Sequence, residues 1–141
     1  RHKYFNTTDS MSLVFGIRER WLFLSLASSV IGVSLGNKVN NMVGQDLNSA
    51  DNIHYPGVIY APLPILKSPE QYIKDIEEAA LKESEIYIIP FSLLAQSCRT
   101  YGEYQQKLSE HEYKNIQLAG IGLVGNKKAV TQLIGHLPLF K

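Results

Sequence analysis

Trp21-Leu22-Phe23-Leu24-Ser25-Leu26-Ala27-Ser28-Ser29-Val30-Ile31-Gly32-Val33-Ser34-Leu35 is the most hydrophobic run of the chain, and its reading decides the fold. A membrane helix needs about 20 apolar residues to cross the hydrocarbon layer. This run is shorter and is interrupted by four serines and a glycine. A signal peptide carries its apolar segment near the start, ahead of a small-residue cleavage site; here the run follows the strand-like Ser12-Leu13-Val14-Phe15-Gly16-Ile17-Arg18. Leu22, Leu24 and Leu26 alternate as a strand would. Length nevertheless favours a buried helix, closed by Gly36, since glycine is preferred just past a helix end. A two-face-buried strand followed by a buried helix is the opening of an α/β arrangement.

The rest of the chain continues that alternation. Asn37 to Pro56 is rich in Asn, Asp, Gly and Ser and reads as a long irregular connection, of the kind that is often functional. Val58 to Leu66 reads as a strand, confined to a sheet edge by Pro62 and Pro64, which donate no ladder hydrogen bond. Ser68-Pro69-Glu70-Gln71 signals a helix start: a serine cap, proline at the first helical position and Gln71 in capping-box register. Tyr72, Ile73, Ile76, Ala79 and Ala80 then give an apolar face down to about Glu83. Glu85 to Phe91 is a strand, Ser92 opens a short helical turn, and Thr100-Tyr101-Gly102-Glu103 is a second capping box for a helix to about Glu110. Ile116 to Val124 is an inner strand, Lys127 to Ile134 a short helix ended by Gly135, and His136 to Phe140 a last short strand limited by Pro138. The pattern predicts one α/β domain over residues 11–141, a sheet with helices on both faces. Residues 1–10 are polar and unpatterned and read as an N-terminal extension without order of its own.

Charge narrows the functional classes. Fourteen basic against thirteen acidic side chains leave a formal charge of +1, which argues against a strongly electrostatic nucleic-acid binder. The single cysteine, Cys98, forms no intramolecular disulfide and reads as a partly buried thiol in a reducing compartment, so the expected location is cytoplasmic, with no membrane partner. His2, His54, His111 and His136 are scattered and show no zinc spacing; no metal and no cofactor is expected. Gly120-Ile121-Gly122 with Gly125 imitates a phosphate-binding glycine pattern, but only Gly125-Asn126 falls at a strand-to-helix turn. Glycines inside a strand mark close backbone approach more often than a dinucleotide. Asn126 and Lys127, with Lys128 beside them, stand at a helix start and are candidates for holding an anion; the alternative is a solvated basic turn. Cys98 with His54, His111 or His136 would make a nucleophile and base, though no flanking signature supports the pairing. Glu77 and Glu78 lie on one helix and are expected to face solvent.

Gln96-Ser97-Cys98-Arg99-Thr100 is more informative. It lies between the end of a strand-linked turn and a helix cap, and ligands of open α/β sheets bind outside the carboxyl ends of strands. Gln96 and Arg99 offer planar donors, the Arg99 fork fits a carboxylate or phosphate, and Ser97 and Thr100 add hydroxyls. The plainer alternative is that Thr100 only caps its helix and Arg99 pairs with Glu103. The ligand-binding candidates are Gln96, Arg99, Thr100, Asn37 and His54, with a small anionic ligand as the partner.

Gly36-Asn37, Tyr55-Pro56-Gly57, Ala61-Pro62-Leu63-Pro64-Ile65-Leu66, Ala95 to Tyr101 and Gly135-His136-Leu137-Pro138-Leu139 together resemble a family of small bacterial proteins known as a domain of unknown function, the two-thousandth so numbered. The resemblance runs from about Met11 to Lys141. Members of that family resemble the type II peptidyl-tRNA hydrolases, which implies a small mixed β-sheet with helices on both faces, a homodimer, and hydrolysis of peptidyl-tRNA or a related ester as the alternative to a binding role. The hydrolases carry an Asp-Ala-Gly-Arg-Thr motif onto which Gln96 to Thr100 falls, so Arg99 and Thr100 match while Gln96 replaces the functional aspartate. Their functional lysine follows the first strand; here Glu19-Arg20-Trp21-Leu22-Phe23 stands there, and no lysine follows it until Lys38.

Overall fold

The computed structural model describes residues 3–16 and 20–140. Arg1, His2, Glu19, Lys141 and the end of the first predicted strand, Ile17-Arg18, lie outside the described residues. The elements in order are β1 (Lys3–Tyr4), β2 (Asp9–Gly16), α1 (Trp21–Lys38), β3 (Val39–Asn40), β4 (Leu47–Asn48), β5 (His54–Tyr55), β6 (Ile65–Ser68), α2 (Glu70–Leu81), β7 (Ile86–Ser92), α3 (Leu93–Gln96), α4 (Tyr101–Ser109), a 3-10 turn (Tyr113–Asn115), β8 (Leu118–Asn126) and α5 (Lys127–Ile134).

Four strands form a mixed sheet in the order β6-β2-β8-β7. β2 and β6 are parallel, and β8 runs antiparallel to both β2 and β7. The carboxyl ends of β2, β6 and β7 therefore share one end of the sheet. Strand alternation splits the core in two. Met11, Leu13 and Phe15 point to α1 and meet Leu24, Ala27, Ile31 and Leu35. Val14, Ile121 and Leu123 point the other way, to Ile73 and Ile76 of α2 and Val130 and Ile134 of α5. The fold class is mixed α/β, with helices on both faces of the sheet, as expected.

The two inner glycines of β8 explain how α1 sits so close. Gly122 pairs with Leu13 on one side and Ile89 on the other, and a Cβ there would lie 2.7 Å from Ile31 Cγ2. A Cβ on Gly120 would run into the Phe15 ring. These glycines serve close packing, the bland reading of the glycine pattern.

Several local expectations need correction. α1 does not stop at Gly36 but continues to Lys38, and no glycine among the described residues has a positive φ to make a left-handed cap. The helix ends because Val39–Asn40 enters a parallel pair with Lys3–Tyr4. That pairing also corrects the disordered extension: Phe5 is buried, and Asp9 opens β2 while accepting from the Asn6 N–H at 3.1 Å and facing Lys3 at 3.5 Å. Residues 58–64 are not a strand. Only Ile59 makes a bridge, to Val43, and the ladder with β2 starts at Ile65, past the two prolines that lack N–H groups. The long 37–56 connection is not wholly irregular, because β4 and β5 pair within it.

Ser68 is not the cap of α2. It is the buried last residue of β6, its hydroxyl donates to the Pro69 carbonyl, and Pro69 takes the capping position with extended ψ, so the helix starts one residue later. Glu77 does not face solvent. It is buried beside Lys74, whose Nζ donates to Glu77 Oε1 at 2.6 Å and to the carbonyls of Tyr113 and Ile116 at 2.6 and 2.8 Å. One ammonium thus ties the 3-10 turn to α2, and only Glu78 points out. The tail makes a single bridge, Leu139 to Leu66, rather than a strand, but its backbone covers the free edge of β6 through Lys67 N–H to Pro138 and Phe140 N–H to Ile65.

Candidate functional site

β7 is the other edge of the sheet, and its carboxyl end is where the chain builds a cleft. The ladder slips between Phe91 and Ser92, and the Ser92 hydroxyl accepts from the Leu94 N–H at 2.9 Å, starting the single turn α3. Ser97 Oγ and Cys98 Sγ both donate back to the Leu94 carbonyl, at 2.9 and 3.1 Å, which curls the segment after α3. Thr100 Oγ1 then accepts from the Glu103 N–H at 3.1 Å and starts α4. The cap expected at Thr100 is formed. Its reciprocal half is not seen, since the Glu103 carboxylate faces Lys107 at 3.6 Å instead.

Between this loop, α1 and β7 lies a cleft of about 440 Å³. Its walls are apolar: Val30 and Ile31 from α1, Ile89, Pro90 and Phe91 from β7. Ser34, Cys98, Arg99, Thr100, Tyr101 and Tyr104 supply the polar atoms. Arg99 is the only charged side chain in the lining, and it makes no hydrogen bond or ion pair with any described residue. The expected alternative partner, Glu103, is taken by Lys107. Burial pushes the Tyr104 phenol above the ordinary tyrosine range, with the neighbouring Tyr101 and Cys98 adding to the shift. Tyr104 therefore stays protonated and can donate at neutral pH. Its ring meets Tyr101 edge-on at 6.0 Å.

The five ligand candidates do not stay together. Arg99 and Thr100 line the cleft; Gln96, Asn37 and His54 do not. Gln96 ends α3 and is exposed, and Asn37 is exposed in the last turn of α1. His54 sits on β5, where Nε2 faces Asp46 at 3.3 Å. The anion candidates fare differently again. Asn126 Oδ1 accepts from the N–H groups of Lys128 and Ala129, and the Lys127 N–H donates to Thr8, so three of the first amides around the start of α5 are already occupied. Cys98 has no histidine beside it in the lining, and His111 Nδ1 lies 2.7 Å from the Lys107 carbonyl. Among the described residues no three His, Cys, Asp or Glu side chains gather to hold a metal.

Sequence reasoning missed Tyr101 and Tyr104. A signal was available. α4 carries Tyr101, Tyr104 and Leu108 at helical spacing, yet none of its residues is buried, and the two tyrosines of this face border the cleft instead of a core.

Fold and cleft together describe a small mixed α/β protein with a ligand-sized recess at the carboxyl end of an edge strand. The chain belongs to the family described as Protein of unknown function (DUF2000), whose match covers residues 23–141. A solved protein of unknown function from Agrobacterium tumefaciens strain C58 has a similar fold, with a TM-score of 0.78 at 12% identity over 96% of this chain and 100% of that one. At that identity the likeness is one of fold alone. No curated protein matches the chain. Among the described residues no helix is long and apolar enough to cross a membrane.

Proposed function

We propose that the protein is a binding module whose cleft takes a small ligand with an apolar body and an anionic end. The observation that carries this reading is the Arg99 guanidinium, unpaired among the described residues, at a recess whose α1 and β7 walls are largely apolar. The apolar body would lie against Val30, Phe91 and the tyrosine pair, while the Arg99 fork takes a carboxylate or phosphate with the Thr100 hydroxyl in reach. Titration with hexanoate, phenylacetate and phenyl phosphate, followed by amide NMR shifts, tests it. Arg99→Ala should weaken binding about tenfold or more, the 1.4 kcal/mol of one charge-assisted pair, with an unchanged melting temperature. A fall in melting temperature without any ligand response would make Arg99 structural.

The match of Arg99 and Thr100 to the hydrolase motif supports a second reading, hydrolysis of peptidyl-tRNA or a related ester on a fold like the type II peptidyl-tRNA hydrolases. Against it, among the described residues the lining holds neither carboxylate nor histidine to carry a proton, and Gln96 is not part of it. Salt-sensitive tRNA binding together with release of an N-acetyl-aminoacyl group from charged tRNA would establish it over the first.

A further inference from the structure

We infer that the ligand of the cleft is a long-chain fatty carboxylate, whose acyl chain starts at Arg99 and crosses the tyrosine pair into a second recess along α4. This rests on the binding reading above and names the class of its ligand. The second recess measures about 440 Å³ and is lined by Tyr101, Tyr104, Gln105, Leu108 and Ser109. Tyr101 and Tyr104 line both recesses, so the two adjoin at that pair. Arg99 stands just before α4, and Tyr101 to Leu108 runs about 10 Å along the helix at 1.5 Å per residue. Hexanoate or phenylacetate fills the first recess alone; a longer chain continues over the tyrosines toward Leu108.

The make-up of this path says what crosses it. Among the described residues, α1, α2 and α5 each bury part of one face, whereas α4, equally a helix of two turns or more, buries none. A short helix owes most of its stability to packing an apolar face, and the Tyr101-Tyr104-Leu108 stripe has no core to pack on. The charges of α4 are engaged along the helix: Glu103 faces Lys107 at 3.6 Å, and Glu110 at its end accepts from Gln106 Nε2 at 2.9 Å. The second recess has no charged side chain in its lining, so among the described residues Arg99 is the one charge lining either recess. The Ser109 hydroxyl already donates to the Gln106 carbonyl at 2.7 Å, which leaves a sugar or nucleotide body short of partners along α4. One cation at the end of an uncharged path fits one anionic head with a long apolar tail. A membrane surface is the poorer occupant, since a helix lying on lipid presents free Lys or Arg, and Lys107, the one cation of α4, is held by Glu103.

Calorimetric titration with hexanoate, octanoate, decanoate and dodecanoate, each below its micelle concentration, tests the chain length. Affinity should rise roughly two- to fourfold with each added methylene. Amide NMR shifts should reach Leu108 and Ser109 only with the longer acids. Leu108→Gln should narrow the dodecanoate-to-hexanoate affinity ratio about tenfold, and decanol should bind about tenfold more weakly than decanoate for want of the Arg99 pair. Should Leu108→Gln fail to fold, the wild-type shifts at Leu108 and Ser109 decide, and their absence with dodecanoate overturns the inference. Hexanoate binding with no gain for dodecanoate also overturns it and leaves the binding reading standing; no response to any acid overturns both. Decanol matching decanoate, or co-sedimentation with phosphatidylcholine vesicles without binding of free acid, overturns it as well, by making the stripe a general apolar surface.

Discussion

Gly122→Ala probes the contact that fixes α1 against the sheet and so shapes one wall of the cleft. A Cβ at 122 would stand 2.7 Å from Ile31 Cγ2 and 3.3 Å from Leu13 Cδ2. Carbon atoms rest at about 3.5–4.0 Å, so close to 1 Å must be made up by displacing α1 or turning Ile31 off its rotamer. Overpacking of this kind costs about 1–3 kcal/mol, offset by up to ~1 kcal/mol from replacing glycine in a strand. The net expectation is a loss of about 1–2 kcal/mol, or roughly 3–8 °C in melting temperature for a domain of this length. Ile31→Ala alone should cost about 2–5 kcal/mol, since Ile31 is fully buried. In the double variant the alanine at 122 moves into space that the truncation vacates. Urea denaturation of all four proteins should therefore give a coupling of ~1 kcal/mol or more, with the double variant no less stable than Ile31→Ala. Strict additivity, or a Gly122→Ala protein as stable as wild type, would show that α1 does not bear on β8 as described.

Three further outcomes are expected. Lys74→Met should destabilise by about 2–4 kcal/mol in urea, because it strands the buried Glu77 carboxylate and frees two carbonyls; adding Glu77→Leu should recover part of the loss. Asp9→Ala should cost about 1–2 kcal/mol and speed hydrogen exchange at Tyr4 and Phe5, as the turn holding β1 loses its acceptor. Tyr104 ionises later in the folded than in the unfolded chain, so its contribution is intact below the ordinary tyrosine pKa of 10.0 and is lost as pH rises through its raised folded value. Stability should accordingly fall more steeply above pH 10 in wild type than in Tyr104→Phe, read from denaturation midpoints; parallel curves would place the tyrosine in water.

What the residues alone determine is local. The capping pair Thr100 and Glu103, the Lys127–Ile134 helix and the apolar period of α2 each depend on neighbours three or four positions away, and each appears within a residue or two of where the sequence puts it. The apolar run from Trp21 is a helix as its length predicts, and helices on both faces follow from the alternation of strand and helix. Its end, however, was set by pairing with Lys3–Tyr4, some 35 residues upstream, which no local signal carries. Lys74 reaches carbonyls about 40 positions on, which is why Glu77 is buried against expectation. The cleft obeys the same rule. Arg99 and Thr100 were legible from one segment, but Val30, Phe91 and Tyr104 join them only because the sheet order β6-β2-β8-β7 leaves β7 as an edge beside α1. Asn37 and His54 are chemically suitable and go elsewhere, since residue type does not say which chain segments the packed core brings together.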